Sequence, residues 1–329
     1  MSEPLRIVSI GGGTGLSSVL NGLKAFTFPD QEGPRVEITA VVTVTDDGGS
    51  SGRLRREFDV LPPGDIRNCM CALAEDAALL ARLFQYRFES GSGLKGHSFG
   101  NLFLTAMTHI TGDFPEAVKK SSEVLNIAGR IFPSTATNVS LEAELDNGRI
   151  VRGETKISRS ATRIRRIRLN PARVKPLRDT LEAIEQADLI TLGPGSLFTS
   201  VIPNLLVSGI PKAIRRSRAR KAYFVNLMSQ PGETTDFRAS DHVRAIREHA
   251  GGALLDIAVV NTAKISRRVR ERYAGQNAVP VVMDIDELKA LGLEVVEANL
   301  LGKGVKVRHD PAATGLVALR LAESARGGR

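Results

Sequence analysis

Tryptophan is absent from this 329-residue chain and aromatic residues make up only 5% of it. That scarcity disfavours modules that hold sugars or single-stranded nucleic acid by ring stacking. Cysteine occurs twice, at Cys69 and Cys71. Two residues one position apart make neither a disulfide framework nor a Cys-x-x-Cys metal or redox pair. On a helix they would point about 200° apart, so at most one could face a shared site. Five histidines scattered through the chain supply no zinc cluster. No stretch of about 18 uncharged apolar residues could span a bilayer. Met1-Ser2-Glu3-Pro4 leads straight into an apolar strand, without the basic, apolar and cleavage regions of a secretory signal. The expectation is a cytoplasmic protein with no membrane span.

What remains is ordinary for a globular chain: 42% hydrophobic and 25% charged residues, enough to bury a core without staples. The net charge of +9 comes largely from two stretches, Arg159 to Arg173 and Lys212 to Lys221. Solvated basic faces explain them most simply. An acidic protein partner and a homo-oligomer stay open, whereas no nucleic-acid recognition motif accompanies the charge.

Hydrophobic patterning sets the fold class. Leu5 to Ile10 is a short apolar run, then glycines, then apolar residues at helical spacing from Leu16 to Leu23. Strand, glycine turn and helix open a parallel α/β sheet. Val36 to Thr45 has the near-continuous apolar look of a strand covered on both faces, and Asp46 to Gly52 follows as a long flexible polar loop. Asp65 is the expected cap of a helix that runs on through Ala72 to Leu83. Further helices are expected over 97–110, 113–125, 177–187, 200–207, 236–250 and 313–323. Strands are expected over 189–192, 222–227 and 255–260, with edge strands at Pro280 to Asp286 and Val305 to Arg308. Between about 133 and 170 the pattern changes to period two around Asn147-Gly148, the strongest hairpin signal in the chain. The expectation is one α/β domain over 1–329: a Rossmann-like, mostly parallel sheet flanked by helices, with a small antiparallel β insertion at 133–170.

Four constellations carry chemistry. Gly11-Gly12-Gly13-Thr14-Gly15 lets the backbone approach a phosphate, and the following helix aims unpaired amides at the same place. It is not a Walker A loop, since no Gly-Lys-Ser/Thr follows, and it misses the usual dinucleotide spacing. Asp46 and Asp47, at the carboxyl end of the second strand, are candidates to hold ribose hydroxyls or a Mg²⁺ that bridges phosphates. In Gly96-His97-Ser98-Phe99-Gly100-Asn101, Ser98 and Asn101 are candidate ligand donors and His97 a candidate acid or base. Gly193-Pro194-Gly195-Ser196-Leu197-Phe198-Thr199 repeats the strand, glycine loop and helix arrangement as a second anion cradle, with Ser196 and Thr199 as donors. Asn226 and Gln230 to Thr234 lie just past another strand.

These blocks, with Thr45 to Gly52, Pro62-Pro63-Gly64-Asp65-Ile66-Arg67-Asn68, Gly193 to Ser200 and Met228-Ser229-Gln230-Pro231-Gly232-Glu233-Thr234, occur in an order that resembles the bacterial gluconeogenesis-factor group. That group is similar to the 2-phospho-L-lactate transferases of deazaflavin coenzyme synthesis. The likeness runs from Leu5 to His309. It implies a cytoplasmic, Rossmann-like protein that binds a UDP-sugar such as UDP-N-acetylglucosamine, or another nucleotide diphosphate, without a settled catalytic activity. It also implies a link to growth on gluconeogenic carbon and to cell shape and wall synthesis. By that likeness Gly12, Gly13, Thr14, Gly15, Asn68, Ser98, Asn101, Gly193, Gly195, Ser196, Thr199 and Asn226 would surround the nucleotide and its phosphates. Asp46 would hold Mg²⁺ if any metal is used. Catalytic candidates are Asp46, Asp47 and His97, for the alternative of a Mg²⁺-dependent transferase acting on a nucleotide-activated substrate.

Overall fold

The computed structural model describes residues 3–27, 35–75 and 78–327. Its first strand, β1 (Leu5–Gly11), is buried along almost its whole length and sits inside the main sheet, which explains its unbroken apolar run. The other strands of that sheet are β2 (Val36–Val42), β3 (Arg130–Pro133), β7 (Leu189–Leu192), β8 (Arg220–Phe224), β9 (Ile257–Asn261) and β10 (Glu294–Ala298). Their order is β10-β9-β8-β7-β1-β2-β3, and every neighbouring pair is parallel. Chain order runs outward from β1 in one direction to β3, then returns beside β1 at β7 and runs the other way. The strand order therefore reverses between β1 and β7, where open parallel sheets leave a crevice at their carboxyl ends.

The period-two region forms a separate three-stranded antiparallel sheet from β4 (Ser140–Leu145), β5 (Ile150–Arg152) and β6 (Ile164–Asn170), in the order β5-β4-β6. Asn147 and Gly148 lie in the turn between β4 and β5, as the hairpin signal requires. Leu141, Ala143 and Leu145 of β4 face inward. Glu142 and Glu144 face outward and pair with Arg152, Arg165 and Arg168 at 2.8, 3.3 and 3.2 Å. Arg165 and Arg168 of the first basic stretch thus belong to a cross-strand ladder. The second is also engaged: Lys221 pairs with Asp256 at 3.7 Å, Arg220 with Glu294, and Arg215 donates to the Ala250 carbonyl.

Several sequence expectations give way. The polar segment after β2 is short, because a helix, Gly49–Phe58, begins inside it. The Asp46 carboxylate accepts the Gly48 N–H at 2.8 Å and folds the chain into that start. Asp65 is not a cap: the helix is Gly64–Leu73 and its N-cap is Pro63. That helix does not continue to Leu83. It ends before Ala74, and a separate helix spans Ala78–Gln85, with residues 76–77 outside the described set. The helix expected at 200–207 begins as a wider-wound turn at Leu197–Val201. The edge strand is β10, not Pro280 to Asp286 or Val305 to Arg308. Pro280 and Val282 make only single bridges, to Met228 and Arg238. Asp113, in contrast, does cap the helix Phe114–Val124, accepting the Glu116 N–H at 3.0 Å. Among the described residues no single helix is long and apolar enough to cross a membrane.

Candidate functional site: the cleft between β1 and β7

β1 ends at Gly11, Gly12 stays extended, and Gly13 opens the helix Gly13–Lys24 with φ +61°, a backbone state that favours glycine. Its N-cap residue, Gly12, has no side chain to cap it. The Gly13 N–H is taken by the Asp65 carboxyl group. Thr14 and Gly15 belong to the first turn, where N–H groups have no partner within the helix, and both residues line the cleft at its positive dipole end.

β7 leads into Gly193-Pro194-Gly195-Ser196, fastened to β1 by the Gly193 N–H to the Ile10 carbonyl at 3.0 Å. The two glycine loops touch. A Cβ placed on Gly15 would lie 2.3 Å from the Pro194 carbonyl oxygen, and one on Gly195 would lie 3.4 Å from that of Gly12. Only a residue without a side chain lets the loops close this far. Together they line a cavity of about 490 Å³ that takes in Gly12, Gly13, Thr14, Gly15, Gly195, Ser196, Thr199 and Asn226. Its size suits a small-molecule or cofactor site.

The second loop is not an open cradle. The buried Glu233 carboxylate accepts the Phe198 N–H at 3.1 Å and the Thr199 hydroxyl at 3.0 Å, and the Ser158 hydroxyl at 3.2 Å. It fills the helix start from within, as a bound anion would. Burial raises the Glu233 pKa, and these hydrogen bonds oppose the rise. Gln230 Nε2 donates to the Ser196 hydroxyl at 2.6 Å, and the Gly195 N–H donates to Asn226 at 3.3 Å. The hydroxyl proton of Ser196 is left to donate into the cavity, while Thr199 has spent its own on Glu233.

Asp46, Asp47, Asn68, His97, Ser98, Asn101 and Gly193 do not line the cavity. Apart from Gly193, they stand behind the first loop, at the starts of three helices. Arg67 donates to Ser98 at 2.5 Å and to Asn68 at 2.6 Å, Ser50 bonds His97 Nδ1 at 3.0 Å, and Asn101 donates to Ser51 at 3.3 Å. Burial, then the Arg53 charge, lowers the His97 pKa, so its ring is neutral at pH 7. Asp47 turns to the insertion and accepts both the N–H and the hydroxyl of Thr155, at 2.9 and 2.6 Å. Asp46 stands at the start of the helix that carries Asp65. A Cβ on Gly64 would lie 2.9 Å from it, and its charge acts on Asp65.

Sequence reading missed Glu154 and Arg308; it placed Glu233 only within the Gln230 to Thr234 block and Asp65 only as a cap, whereas Asp65 lies against Gly12 beneath the first loop. Glu154 reaches the cavity from the turn after β5, and its buried Oε2 has no partner. Burial, then repulsion from Asp46, Asp65, Glu233 and Asp47, pushes its pKa up to about 9. Burial and Asp46 push Asp65 up to about 7, against the Gly13 N–H and Arg67. These carboxyls come from separate segments, and among the described residues no three His, Cys, Asp or Glu side chains are grouped as metal ligands. Arg308 is the one Lys or Arg among the described lining residues. It sits at the far rim beside Tyr273, Gln276 and His309, and burial lowers the His309 pKa to about 4.

The family model "2-phospho-L-lactate transferase CofD" matches residues 7–301. The chain belongs to this family. Among its relatives, the "Gluconeogenesis factor" of Halalkalibacterium halodurans is 51% identical over 291 residues, covering 88% of each chain. The "Gluconeogenesis factor" of Bacillus subtilis is 47% identical over 311 residues, covering 94% of this chain and 96% of the relative. A crystal structure of a UPF0052 family member from Bacillus halodurans superposes with a TM-score of 0.91 at 47% identity, over 97% of this chain and 100% of the other. The α/β architecture is therefore that of the family. The two touching glycine loops sit at the reversal of its sheet order.

Proposed function

We propose that the cleft between β1 and β7 binds a nucleotide-sugar of the UDP-N-acetylglucosamine class, with its diphosphate on the Thr14 and Gly15 amides. The observation that carries this reading is the contact of the two loops around one cavity, which the first-turn residues Thr14 and Gly15 line. Ser196 completes the diphosphate contacts from the opposite loop, and Arg308 supplies the only guanidinium among the described lining residues. Asn226, Gln276 and Tyr273 supply the hydrogen bonding and the single aromatic ring for the base or ribose. Glu154 is available to a sugar hydroxyl. In the cell, the protein acts in the cytoplasm as a binding and regulatory factor that supports cell shape and wall synthesis during growth on gluconeogenic carbon. Its relatives' names support the gluconeogenic part.

Calorimetry against UDP-N-acetylglucosamine, UDP, GDP and NAD tests the reading. Micromolar binding of the UDP ligands supports it, and no UDP-ligand binding at millimolar concentration rejects it.

The mutual repulsion of Asp46, Asp65 and Glu154 favours a second reading, a Mg²⁺-dependent transferase. Mg²⁺ is held by one or two carboxylates plus phosphate and water; Asp46 is the candidate carboxylate, and it stands behind the first loop rather than in the cavity lining. Bound there, the ion would neutralise charge on a leaving diphosphate. Turnover lost in Asp46→Asn with ligand binding retained would favour this reading, and absence of turnover across a panel of acceptors counts against it.

A further inference from the structure

Beside the cleft, the carboxyl end of β9 borders a second cavity, of about 380 Å³. Its place follows from the sheet: β9 runs parallel to β8, and ligands of such sheets gather at the carboxyl ends of the strands. Asn261 closes β9. Its side chain donates to the Ala263 carbonyl at 2.9 Å and accepts the N–H groups of Ala263 and Leu300 at 3.2 and 3.0 Å. This fixes the turn from which Lys264 and Ile265 border the cavity. Another border is the segment Val279 to Val281, which pairs with Leu227 to Ser229. The Ser229 N–H donates to the Val279 carbonyl at 2.7 Å, and the Val281 N–H to the Leu227 carbonyl at 3.1 Å. The two cavities are neighbours that share Leu227.

The second cavity is lined by two kinds of group. Leu227, Ile265, Pro280, Val281 and Met283 form apolar walls. Lys264 and Arg270 are the charged residues among the described lining, and neither side chain has an ion-pair or hydrogen-bond partner among the described residues. No carboxylate there answers them. The cleft is the opposite case, with Glu154 and Glu233 against Arg308. Arg270 belongs to the helix Arg267–Ala274, none of whose residues is buried and whose first turn holds no acid. The one acid of that helix, Glu271, is taken by Arg267 at 2.7 Å. A lone exposed cation is solvated cheaply. Two unpaired cations at one apolar-walled hollow repel each other, and an anion between them relieves the repulsion.

We propose that this cavity is a second ligand site, for a small organic anion that sets a phosphate or carboxylate between Lys264 and Arg270 and a short apolar skeleton against the walls. A guanidinium offers a fork of paired donors and an ammonium a point charge, a combination that suits an oxyanion and rejects an amine. Apolar walls, with Asn261 engaged in its own turn, disfavour a polyol. The proposal does not depend on what fills the cleft.

The chain has five methionines, and two of them make the test site-specific: Met283 lines this cavity and Met228 the cleft. The full chain, ¹³C-labelled at the methionine methyls, is titrated with n-butyl phosphate, n-butyrate, inorganic phosphate and n-butylammonium. Met228→Leu and Met283→Leu assign the two resonances. The expected result is a saturable shift of the Met283 methyl with butyl phosphate or butyrate at a Kd of about 1 mM, the tighter of the two naming the acid group. Inorganic phosphate should bind roughly 10-fold more weakly, for want of the apolar contact, and butylammonium should leave the resonance in place. Lys264→Ala and Arg270→Ala should each weaken the butyl anion by roughly 10-fold, with Tm unmoved because both side chains are exposed. No Met283 shift with either butyl anion at about 20 mM, some twenty times the expected Kd, overturns the proposal. So does a shift confined to Met228, or one that neither substitution weakens.

Discussion

Gly15→Ala probes the loop contact directly. The added Cβ would meet the Pro194 carbonyl oxygen at 2.3 Å and its carbon at 2.6 Å. Relief to ordinary contact needs a displacement of about 1 Å, and the obstruction is backbone, which cannot swing aside as a side chain can. Overpacking of this kind costs about 1–3 kcal/mol. For a chain of this size that corresponds to a Tm lower by several degrees. Binding suffers more, because the two loops must bracket one ligand: a shift of about 1 Å in positioning groups costs on the order of 100-fold, or about 2.7 kcal/mol. Calorimetry with UDP-N-acetylglucosamine and differential scanning calorimetry give the two readouts. Gly275→Ala is the control, since a Cβ there meets nothing nearer than 3.6 Å, and it should leave both unchanged. Wild-type affinity and Tm in Gly15→Ala would refute the argument that close loop approach builds the site.

Other substitutions isolate other parts. Glu154 holds a proton in the folded state up to about pH 9, whereas the unfolded chain releases it near pH 4.5. The folded protein thus binds more protons across that window, and this group's contribution to stability falls as pH rises through it. Denaturant titrations of ligand-free protein at pH 5 and pH 8 should show Glu154→Gln losing about 1–3 kcal/mol of that decline, and an unchanged pH slope would contradict the assigned burial. Glu233→Gln turns one of the two acceptor oxygens into an NH2, so the Phe198 N–H and the Thr199 hydroxyl can no longer both donate to it. It should lower stability by about 1–3 kcal/mol, seen as a reduced urea midpoint. Arg308→Ala should weaken nucleotide-diphosphate binding by about 10-fold at low salt, less at high salt, with Tm unmoved because the side chain is exposed.

Local signals made the centre of the fold legible. Unbroken apolar runs at β1 and β7, each followed by glycines, announced the parallel sheet and its two loops. Alternation around Asn147-Gly148 announced the insertion. The edge was harder. β10 reads Glu-Val-Val-Glu-Ala, with charges at exposed positions that guard an edge, while the more apolar Pro280 to Asp286 looked more like a strand. The helix at Gly49 was masked by glycines and serines, which favour loops until the Asp46 carboxylate folds the turn. Cavity-lining residues from the glycine loops could be read because a short motif carries them. Glu154 and Glu233 could not, because their roles arise only when the insertion and the loop after β8 fold back onto the second glycine loop. The same folding turns Thr199 from an available donor into a structural one.

The most direct test of the cleft is a crystal structure with UDP-N-acetylglucosamine bound. The account predicts diphosphate oxygens within hydrogen-bonding distance of the Thr14 and Gly15 N–H groups, with Ser196 opposite. A nucleotide seated elsewhere, with those amides left to solvent, would contradict it.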